Sequence, residues 1–412
     1  MEPQSARVPV EQRPCRNVSN EALRQKSCSG EKIGTRRDSR DERGNTPSTV
    51  GDAPQLCAKR LTNKKDGSQA LTPAARLVAL GLLLAAAGCQ AWRRFPLPHD
   101  HPPAAYDEAT FSRKSFASFK ITARNGTPVD TVIGNAGTYR VREGDTFLDI
   151  ARYYDLGYNE IVDANPGVDP WVPPVGTTIV LPTEWILPCC SYEGLVVNIP
   201  EMRLYLYRRT PGDARTLIVD TLPVGLGRDD RRTPRGRFTV RGKSVNPTWI
   251  IPPSIRAEHI EETGDTRTKI PGGDPDNPLG KYRLELTLPR YTIHGTNIPW
   301  GVGMQVSHGC ARLYPEDIER LFPLVPIGTR GEFTYQAVKV GTRGGATYAE
   351  VHRDIYRYVP QLRRAAQAAL KRRGLGEQID ETALARALQE ERGIPVRVSR
   401  RRGIAAMLRT AN

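Results

Sequence analysis

The sequence predicts an α+β protein of several domains. It indicates a small βααβ module and then a β-rich domain, with a disordered N-terminus and a partly helical, basic C-terminal tail. The chain has 412 residues, enough for two or three domains at about 100–200 residues each. Helically spaced apolar residues between two short strand patterns define residues 137–183, and strand-like runs separated by Gly and Pro fill residues 193–334.

The first 73 residues are polar and contain few aromatic residues. Such a segment cannot bury enough apolar surface to offset chain entropy, so we expect residues 1–73 to be disordered. Alternatively, they lie upstream of the true translation start, because secretory signals begin near the N-terminus and a signal-like segment follows. An internal start would use a non-AUG codon, since no methionine occurs between Met1 and Met202.

Residues 74–89 contain a short apolar run behind Arg76 that ends in small residues. The run is too short to span a bilayer comfortably and fits the apolar region of a secretory signal. Its last four residues, AAGC, resemble a bacterial lipobox, with Ala86 where such boxes usually carry Leu. We therefore expect Cys89 to be the lipidated first residue of a mature protein in the periplasm or cell envelope. A plain signal peptide and a buried helix are the alternatives.

The formal net charge is +15, from 60 Lys and Arg against 45 Asp and Glu. A balance this basic favours anionic partners, whether nucleic acid, a membrane surface or an anionic wall polymer. The basic clusters at 231–232, 363–364 and 400–402 lack the aromatic interleaving of a nucleic-acid platform, so we expect no nucleic-acid partner.

Residues 90–136 include Pro96, Pro98, Pro102 and Pro103 and show weak hydrophobic periodicity. Proline-rich segments of this kind act as semi-rigid spacers. We expect a linker that joins the envelope anchor to the first folded module.

Residues 137–183, called the βααβ module below, carry the pattern of a compact unit. The run YRVREGDTF predicts a strand and a turn, after which Asp145 is expected to cap a first helix. A second short helix ends at Asn165-Pro166, and residues 175–182 form the closing strand.

The segments YRVREGDTFLDIARYY, NEIVDANPGVDP and GTTIVLP resemble, in this order, a LysM domain. The resemblance implies a module that binds glycans containing N-acetylglucosamine, and therefore binds peptidoglycan. We place the glycan contacts near Gly144, Asp145 and Thr146 and around Asn165. A generic small α+β unit is the alternative.

Residues 193–334 predict a β-rich domain with one helix. The helix begins at Pro315, since proline is favoured at the first helical position, and Ile318, Leu321 and Phe322 share one of its faces. Strands are expected over 195–199, 204–207, 216–224, 236–241, 282–288 and 291–294.

Two motifs in this domain carry candidate chemistry: IHGTN, with His294, and VSHGCARL, with Cys310. In acyl transfer the thiolate attacks, and a nearby imidazole activates the thiol by taking its proton. Gly309 lets the backbone approach a substrate closely, so the amides of His308, Gly309 and Cys310 are candidates for an oxyanion hole. A buried core thiol and a satisfied histidine are the alternative.

These motifs, with VNIPEMRLYLY, LPVGLGRDDRRTPRGRFTV and DPDNPLG, resemble the catalytic domain of YkuD-type L,D-transpeptidases from Gly194 to Phe333. The resemblance implies an enzyme of peptidoglycan synthesis. Cys310 would attack the carbonyl between the third and fourth residues of a tetrapeptide stem, and His294 would be the proton acceptor and donor. Ala311 stands where the family usually has a larger aliphatic residue, which alters packing but removes no chemical group.

The same resemblance implies a set of supporting residues. The backbone at Gly295 would hold the His294 imidazole. His308 and Gly309 would help to build the oxyanion site, and Ser307 would support it.

Arg312 and Thr296 are the candidate substrate-binding residues. Arg312 follows the cysteine by two positions and could hold a substrate carboxylate through charge-assisted hydrogen bonds. A structural ion pair of Arg312 with Glu316 or Asp317 is an equal alternative. We expect no cofactor and no metal site, because the sequence contains no cluster of metal ligands.

The expected reaction is transfer through a thioester at Cys310, and three acceptors are open. The amine of a second stem would give a 3→3 cross-link, and a lysine of an envelope lipoprotein would be tethered to the wall. Attack by water would make the protein an L,D-carboxypeptidase. A function of another class is a non-catalytic LysM protein that only binds the wall.

Cys189 and Cys190 lie between the two modules. In an oxidising compartment they could form a strained vicinal disulfide, pair with other cysteines, or stay as two thiols.

Residues 335–412 are expected to form a closing hairpin and a basic helical tail. Helices are predicted over 360–373 and 381–392, the second capped by Asp380. A solvated appendix is the favoured interpretation, and electrostatic attachment to anionic lipid or wall polymer is the alternative.

Overall fold

The computed structural model describes residues 117–189, 191–210, 212–376 and 378–400. The predicted N-terminal extension, the signal segment with Cys89, and Cys190 lie outside the described residues. None of the helices within these ranges combines the length and apolar character that crossing a bilayer requires.

The described ranges consist mainly of β-strands, most of them in the domain predicted to be β-rich. In chain order the strands are β1 (Ala117–Arg124), β2 (Thr127–Pro128), β3 (Val132–Gly134), β4 (Gly137–Arg140), β5 (Thr178–Leu181), β6 (Glu184–Ile186), β7 (Gly194–Asn198), β8 (Arg203–Thr210), β9 (Asp213–Pro223), β10 (Leu226–Gly227), β11 (Gly236–Val245), β12 (Trp249–Ile250), β13 (Lys269–Ile270), β14 (Tyr282–Leu286), β15 (Thr292–His294), β16 (Gln305–Ser307), β17 (Ala311–Arg312), β18 (Arg330–Thr334), β19 (Val338–Arg343), β20 (Ala346–Val351) and β21 (Val396–Arg397). The helices are α1 (Phe147–Tyr153), α2 (Tyr158–Ala164), α3 (Pro253–Thr263), α4 (Pro315–Leu324), α5 (Leu362–Arg373) and α6 (Glu381–Glu390), and a 3₁₀ turn covers Pro299–Gly301.

Ten strands form one mixed sheet in the order β17-β15-β14-β11-β18-β7-β8-β9-β1-β2. Its central strands β7 and β8 are antiparallel, with Val196 opposite Tyr205. Leu195 and Val197 face one hydrophobic core, and Val196 faces another on the opposite side. A strand covered on both faces carries continuous apolar residues, which explains the runs LVV and LYLY.

The larger of these cores lies between the sheet and α4. The predicted helix from Pro315 is confirmed, and Ile318 and Leu321 are fully buried against the sheet residues. The apolar residues of α4 share one face, so the helix closes the core just after the segment that carries Cys310.

Of the predicted linker over residues 90–136, residues 90–116 lie outside the described residues, and the prediction is wrong from residue 117 onward. β1 pairs antiparallel with β9 and extends the main sheet, and β3 pairs with β6. Phe119 and Ile121 alternate with exposed residues and pack on the core that contains Trp185. The alternating pattern of ASFKITAR is a strand signal, which the prolines further upstream outweighed in the prediction.

The βααβ module has the predicted order, with β4, α1, α2 and β5 in sequence and β4 paired to β5. The helix cap is different from the prediction. Thr146, not Asp145, caps α1, and its Oγ1 accepts the N–H of Asp149 at 3.2 Å.

The residues suggested as glycan contacts are partly internal. Asp145 is 6% exposed and accepts the Tyr139 hydroxyl at 2.8 Å, and Asn165 is 7% exposed and bonds the backbone of Ile161 and Val180. Their side chains are used to hold the module together, so the structure does not support a glycan contact at Asp145 or Asn165.

Helix α3 was not predicted. Ile255 is its one buried residue, so the sequence shows no apolar stripe at helical spacing. Pro253 at the first helical position and Gly264 in the left-handed conformation at the end mark its limits.

Residues 338–400, called the C-terminal module below, pack as a unit. β19, β20 and β21 form a sheet on which α5 and α6 lie, with Ala366 and Leu370 buried. The two predicted helices and the Asp380 cap are confirmed. The solvated appendix is wrong, because α5 and α6 both turn an apolar face onto this sheet and enclose a core.

Candidate active site

Cys310 is the last residue of a three-residue turn that connects β16 to β17. β17 runs parallel to β15, with Ile293 opposite Ala311. Opposed residues of paired strands share a face of the sheet, and side chains alternate along each strand. Alternation along β15 and the residue before β17 therefore turn Thr292, His294 and Cys310 to one side of the sheet.

The Cys310 sulfur makes two long contacts. Thr292 Oγ1 lies 3.6 Å from Sγ, and the carbonyl oxygen of Arg290 lies 3.7 Å from it. Cys310 is half-buried, so the thiol is held and still reachable. Neither partner was predicted from the sequence.

His294 is 3% exposed and ends strand β15. Its Nδ1 lies 2.7 Å from the carbonyl oxygen of Gly295, the contact predicted for the backbone at that residue. Burial lowers the pKa of His294 from 6.5 to about 3, and the positive charge of Arg312 is the second largest cause of this shift. The carbonyl can only accept a hydrogen bond, so Nδ1 carries the proton and Nε2 of this neutral ring is an acceptor.

Ser307 holds the turn through two hydrogen bonds, and its support of an oxyanion site stays a prediction. Its hydroxyl accepts the Gly309 N–H at 3.0 Å and donates to the Cys310 carbonyl at 2.7 Å, and the residue is 1% exposed. The Gly309 amide is thus already occupied, which contradicts an oxyanion role for it in this conformation. The amides of His308 and Cys310 have no acceptor among the described residues.

Gly309 is required by geometry. Its φ of +106° lies in the region that favours glycine, and a Cβ there would stand 2.6 Å from Cε1 of Tyr291. The tyrosine ring therefore limits how far the turn can move.

Arg312 does not form the predicted ion pair. Glu316 binds Arg152 of the βααβ module at 2.8 and 3.0 Å, and Asp317 lies 3.8 Å from Arg320. Nε of Arg312 is buried and has no hydrogen-bond partner among the described residues. The ion pair with Glu316 or Asp317 is therefore wrong, and a substrate carboxylate at Arg312 stays a prediction.

The His308 side chain turns away from the thiol. Its Nε2 lies 2.8 Å from Glu258 on α3, which also contacts Arg228 and Arg231. The bond to His308, and then Arg231 and Arg228, lower the pKa of Glu258 to about 2, although burial opposes the shift. Sequence reasoning missed Glu258 because α3 itself was missed.

Thr296 is 3% exposed, and its hydroxyl accepts the Ile298 N–H at 2.9 Å. A substrate contact at Thr296 stays a prediction, and this geometry gives it no support.

Residues 228–235, called the arginine loop below, border the site and are held by the C-terminal module. The Tyr356 hydroxyl donates to the Gly227 carbonyl at 2.6 Å and accepts the Thr233 N–H at 3.2 Å. The Arg232 guanidinium lies 5.3 Å from the Tyr356 ring centre, and its carbonyl oxygen would be 3.3 Å from a Cβ at Gly309. The arginine loop thus contacts both the C-terminal module and the turn that carries Cys310.

Within the described ranges, one buried cluster groups side chains of the kind that bind metal ions: Glu201, Glu350 and His352. Lys339 Nζ lies between the carboxylates, 2.7 Å from Glu201 and 2.8 Å from Glu350. Burial raises the pKa of Glu201, but the Lys339 ammonium outweighs it and the pKa ends below its usual value. The lysine supplies the positive charge that a cation would bring, so this is an ion-pair network.

Comparison with known proteins agrees with this architecture. Residues 193–340 match the family model of the L,D-transpeptidase catalytic domain, YkuD, and residues 139–182 match that of the LysM domain. The chain therefore carries a peptidoglycan-binding module and an enzyme domain that acts on peptidoglycan. The LysM and YkuD resemblances stated from the motifs are confirmed.

Two relatives show the family. The chain is 35% identical over 278 residues to the probable L,D-transpeptidase ErfK/SrfK of Salmonella typhimurium, covering 65% of this chain and 88% of that protein. It is 39% identical over 236 residues to the probable L,D-transpeptidase YbiS of Escherichia coli, covering 56% of this chain and 75% of that one. This chain belongs to the L,D-transpeptidase family.

A solved L,D-transpeptidase from Mycobacterium smegmatis aligns over 35% of this chain and 58% of its own, with 19% identity and a TM-score of 0.26.

Proposed function

We propose that this enzyme is a peptidoglycan L,D-transpeptidase with Cys310 as nucleophile and His294 as general base. The observation that supports the proposal most is the parallel pairing of β15 with β17, with Thr292 Oγ1 3.6 Å from the Cys310 sulfur on the same strand as His294. The donor substrate is a tetrapeptide stem, cut between its third and fourth residues.

In the first step the Cys310 sulfur attacks the stem carbonyl while Nε2 of His294 accepts the thiol proton. Burial keeps this imidazole neutral at neutral pH, since its pKa is lowered to about 3. The thiolate that forms beside it supplies the negative charge that a buried imidazolium needs.

The oxyanion of the tetrahedral intermediate accepts hydrogen bonds from the backbone N–H groups of His308 and Cys310. When the peptide C–N bond breaks, His294 returns its proton to the departing D-alanine amine. The acyl group stays on Cys310 as a thioester.

In the second step an amine attacks the thioester carbonyl, His294 takes the amine proton, and the C–S bond breaks as the new C–N bond is kept. The proton then passes from His294 to the departing sulfur, which restores the Cys310 thiol. We propose the amine of a second stem as the acceptor, which gives a 3→3 cross-link, with a lysine of an envelope lipoprotein as the other candidate. Arg312 is proposed to hold a stem carboxylate, because its buried Nε has no protein partner among the described residues.

We also propose that the enzyme works in the periplasm or cell envelope, with Cys89 as a lipid anchor. The peptidoglycan substrate and the signal-like segment 74–89 support this. Cells grown with a fatty-acid analogue should label the intact protein and not Cys89→Ala. An unlabelled wild-type protein would exclude the anchor.

Product analysis tests the activity. The purified protein is incubated with a disaccharide tetrapeptide, with and without an amine acceptor, and the products are identified by mass. We expect D-alanine and 3→3 dimers from the wild type and neither from Cys310→Ala. D-alanine without dimers would indicate a carboxypeptidase, and glycan binding without turnover would indicate a non-catalytic wall-binding protein.

A further inference from the structure

The βααβ module contacts the enzyme domain on both sides of the Cys310 turn. Upstream of the turn, the N–H groups of Tyr158 and Asn159 donate to the carbonyl oxygens of Val302 and Gly303, each at 3.2 Å. These are amides of the first turn of α2, which have no partner inside their own helix. The enzyme domain therefore caps this helix of the module.

The two backbones touch at this point. A Cβ at Gly303 would stand 2.3 Å from the Gly157 Cα, and a Cβ at Gly157 would stand 2.7 Å from the Gly303 Cα. Gly303 also has a φ of +80°. Only glycine at both positions allows this approach.

Downstream of the turn, three side chains complete the contact. The Tyr314 hydroxyl donates to the Leu156 carbonyl at 3.2 Å. Arg152 binds both carboxylate oxygens of Glu316, with side-chain exposures of 13% and 9%. A two-pronged pair of this kind is both directional and protected from water.

The module itself is fixed to the main sheet. Arg203 on β8 is completely buried, donates to the Asp155 carbonyl at 3.1 Å, and lies 4.1 Å from the Trp185 ring centre. Its Nε is 3.3 Å from Glu160. Arg203 thus anchors the turn between α1 and α2 to the main sheet, so this turn can hold the segments that contact it in place.

We propose that the βααβ module positions Cys310, in addition to binding glycan. Gly303 stands two residues before β16, and Tyr314 two residues after β17, so the nucleophile segment is held at both ends by one rigid neighbour. This inference rests on the proposed role of Cys310. It makes Arg152 and Glu316 positioning residues, because they act through the segment and touch no substrate.

The consequence is that the module matters even for substrates that carry no sugar. If the pair between Arg152 and Glu316 is broken, the segment gains freedom and the thiol loses its fixed place against His294. Misplacement of a reacting group by about 1 Å can cost about 100-fold in rate.

The test uses the full chain, a free tetrapeptide without glycan, and Glu316→Gln, which keeps the shape of the side chain. We expect kcat for D-alanine release to fall about 10–100-fold with KM unchanged. Binding of an N-acetylglucosamine oligomer should stay as in the wild type. Arg386→Gln is the matched control, since it breaks an exposed pair with Glu390 in the C-terminal module and should leave kcat unchanged.

The pair exchange Arg152→Glu with Glu316→Arg should recover part of the lost kcat. An unchanged kcat in Glu316→Gln would overturn the inference. So would a folded exchange variant no faster than Glu316→Gln. Failure of the proposed function is seen separately, as a wild type that releases no D-alanine or a Cys310→Ala variant that still does.

Discussion

Two regions flank Cys310, and each supplies a histidine in a different environment. On β15, His294 is 3% exposed and its Nδ1 meets a carbonyl oxygen. On the turn after β16, the side chain of His308 is 24% exposed and its Nε2 meets the Glu258 carboxylate. Burial keeps the His294 ring neutral, whereas a carboxylate already binds Nε2 of His308. The proposed assignment therefore gives the role of base to His294, although His308 is closer to Cys310 along the chain.

Replacing the two histidines one at a time should separate the regions most strongly. His294→Gln should lower kcat for D-alanine release by about 10²–10⁴-fold, the usual contribution of a general base. His308→Gln makes the same change at the other histidine and should cost less than about tenfold, because its ring serves α3 and the arginine loop. Equal losses in the two variants would refute the assignment.

Gly309→Ala should damage the turn that both regions share. The new methyl group would stand 2.6 Å from Tyr291, so the turn must shift and we expect an activity loss of about 100-fold. Gly328→Ala is the control, since Gly328 has a φ of +92° and no atom within reach of a Cβ. Similar losses in both variants would show that backbone conformation, not the collision, is responsible.

Burial of His294 should also appear in the pH dependence of stability. Its folded pKa of about 3 lies below the ordinary value of 6.5, so the unfolded chain takes up the proton first as pH falls. The stabilisation is complete above pH 6.5 and is lost as pH falls toward 3. Urea unfolding should give His294→Gln a smaller loss of unfolding free energy than the wild type between pH 7 and 5, by about 2 kcal/mol. Equal losses of unfolding free energy in the two proteins would mean that the His294 ring is accessible to water.

The smallest effect is expected at the arginine loop. Tyr356→Phe removes the hydroxyl that binds Gly227 and Thr233, so the loop should loosen around His308 while β15 stays in place. We expect KM for the tetrapeptide to rise by about two- to fivefold with kcat unchanged, since the loss is one or two hydrogen bonds. Steady-state kinetics with the free tetrapeptide would measure this. A fall in kcat with constant KM would mean that the C-terminal module acts on Cys310 and His294 themselves.

The sequence allowed the family and its two domains to be predicted better than the contacts around the candidate site. Cys310 and His294 sit in short motifs whose glycines and strand ends are visible in the chain. The strand that ends at His294 pairs in parallel with the strand that follows Cys310. Glu258 could not be predicted, because the only buried residue of α3 is Ile255 and no apolar stripe marks the helix.

Contacts between distant segments account for the other errors. Glu316 was a natural partner for Arg312 by spacing, yet it binds Arg152, which is 164 positions away. The tail was expected to be solvated because its helices are basic, but their alanine and leucine faces pack on a sheet that forms only in the fold. Spacing along one chain does not reveal such partners, since tertiary contacts decide which face is covered.

The most direct test of the account is the site and rate of acylation by a carbapenem. A reactive thiolate attacks the carbonyl of its β-lactam ring and opens the ring. Intact mass followed by peptide mapping should show one adduct on Cys310 in the wild type and in His308→Gln. The adduct should form far more slowly in His294→Gln and not at all in Cys310→Ala. An adduct on another residue, or one that persists in Cys310→Ala, would contradict the assignment of the nucleophile.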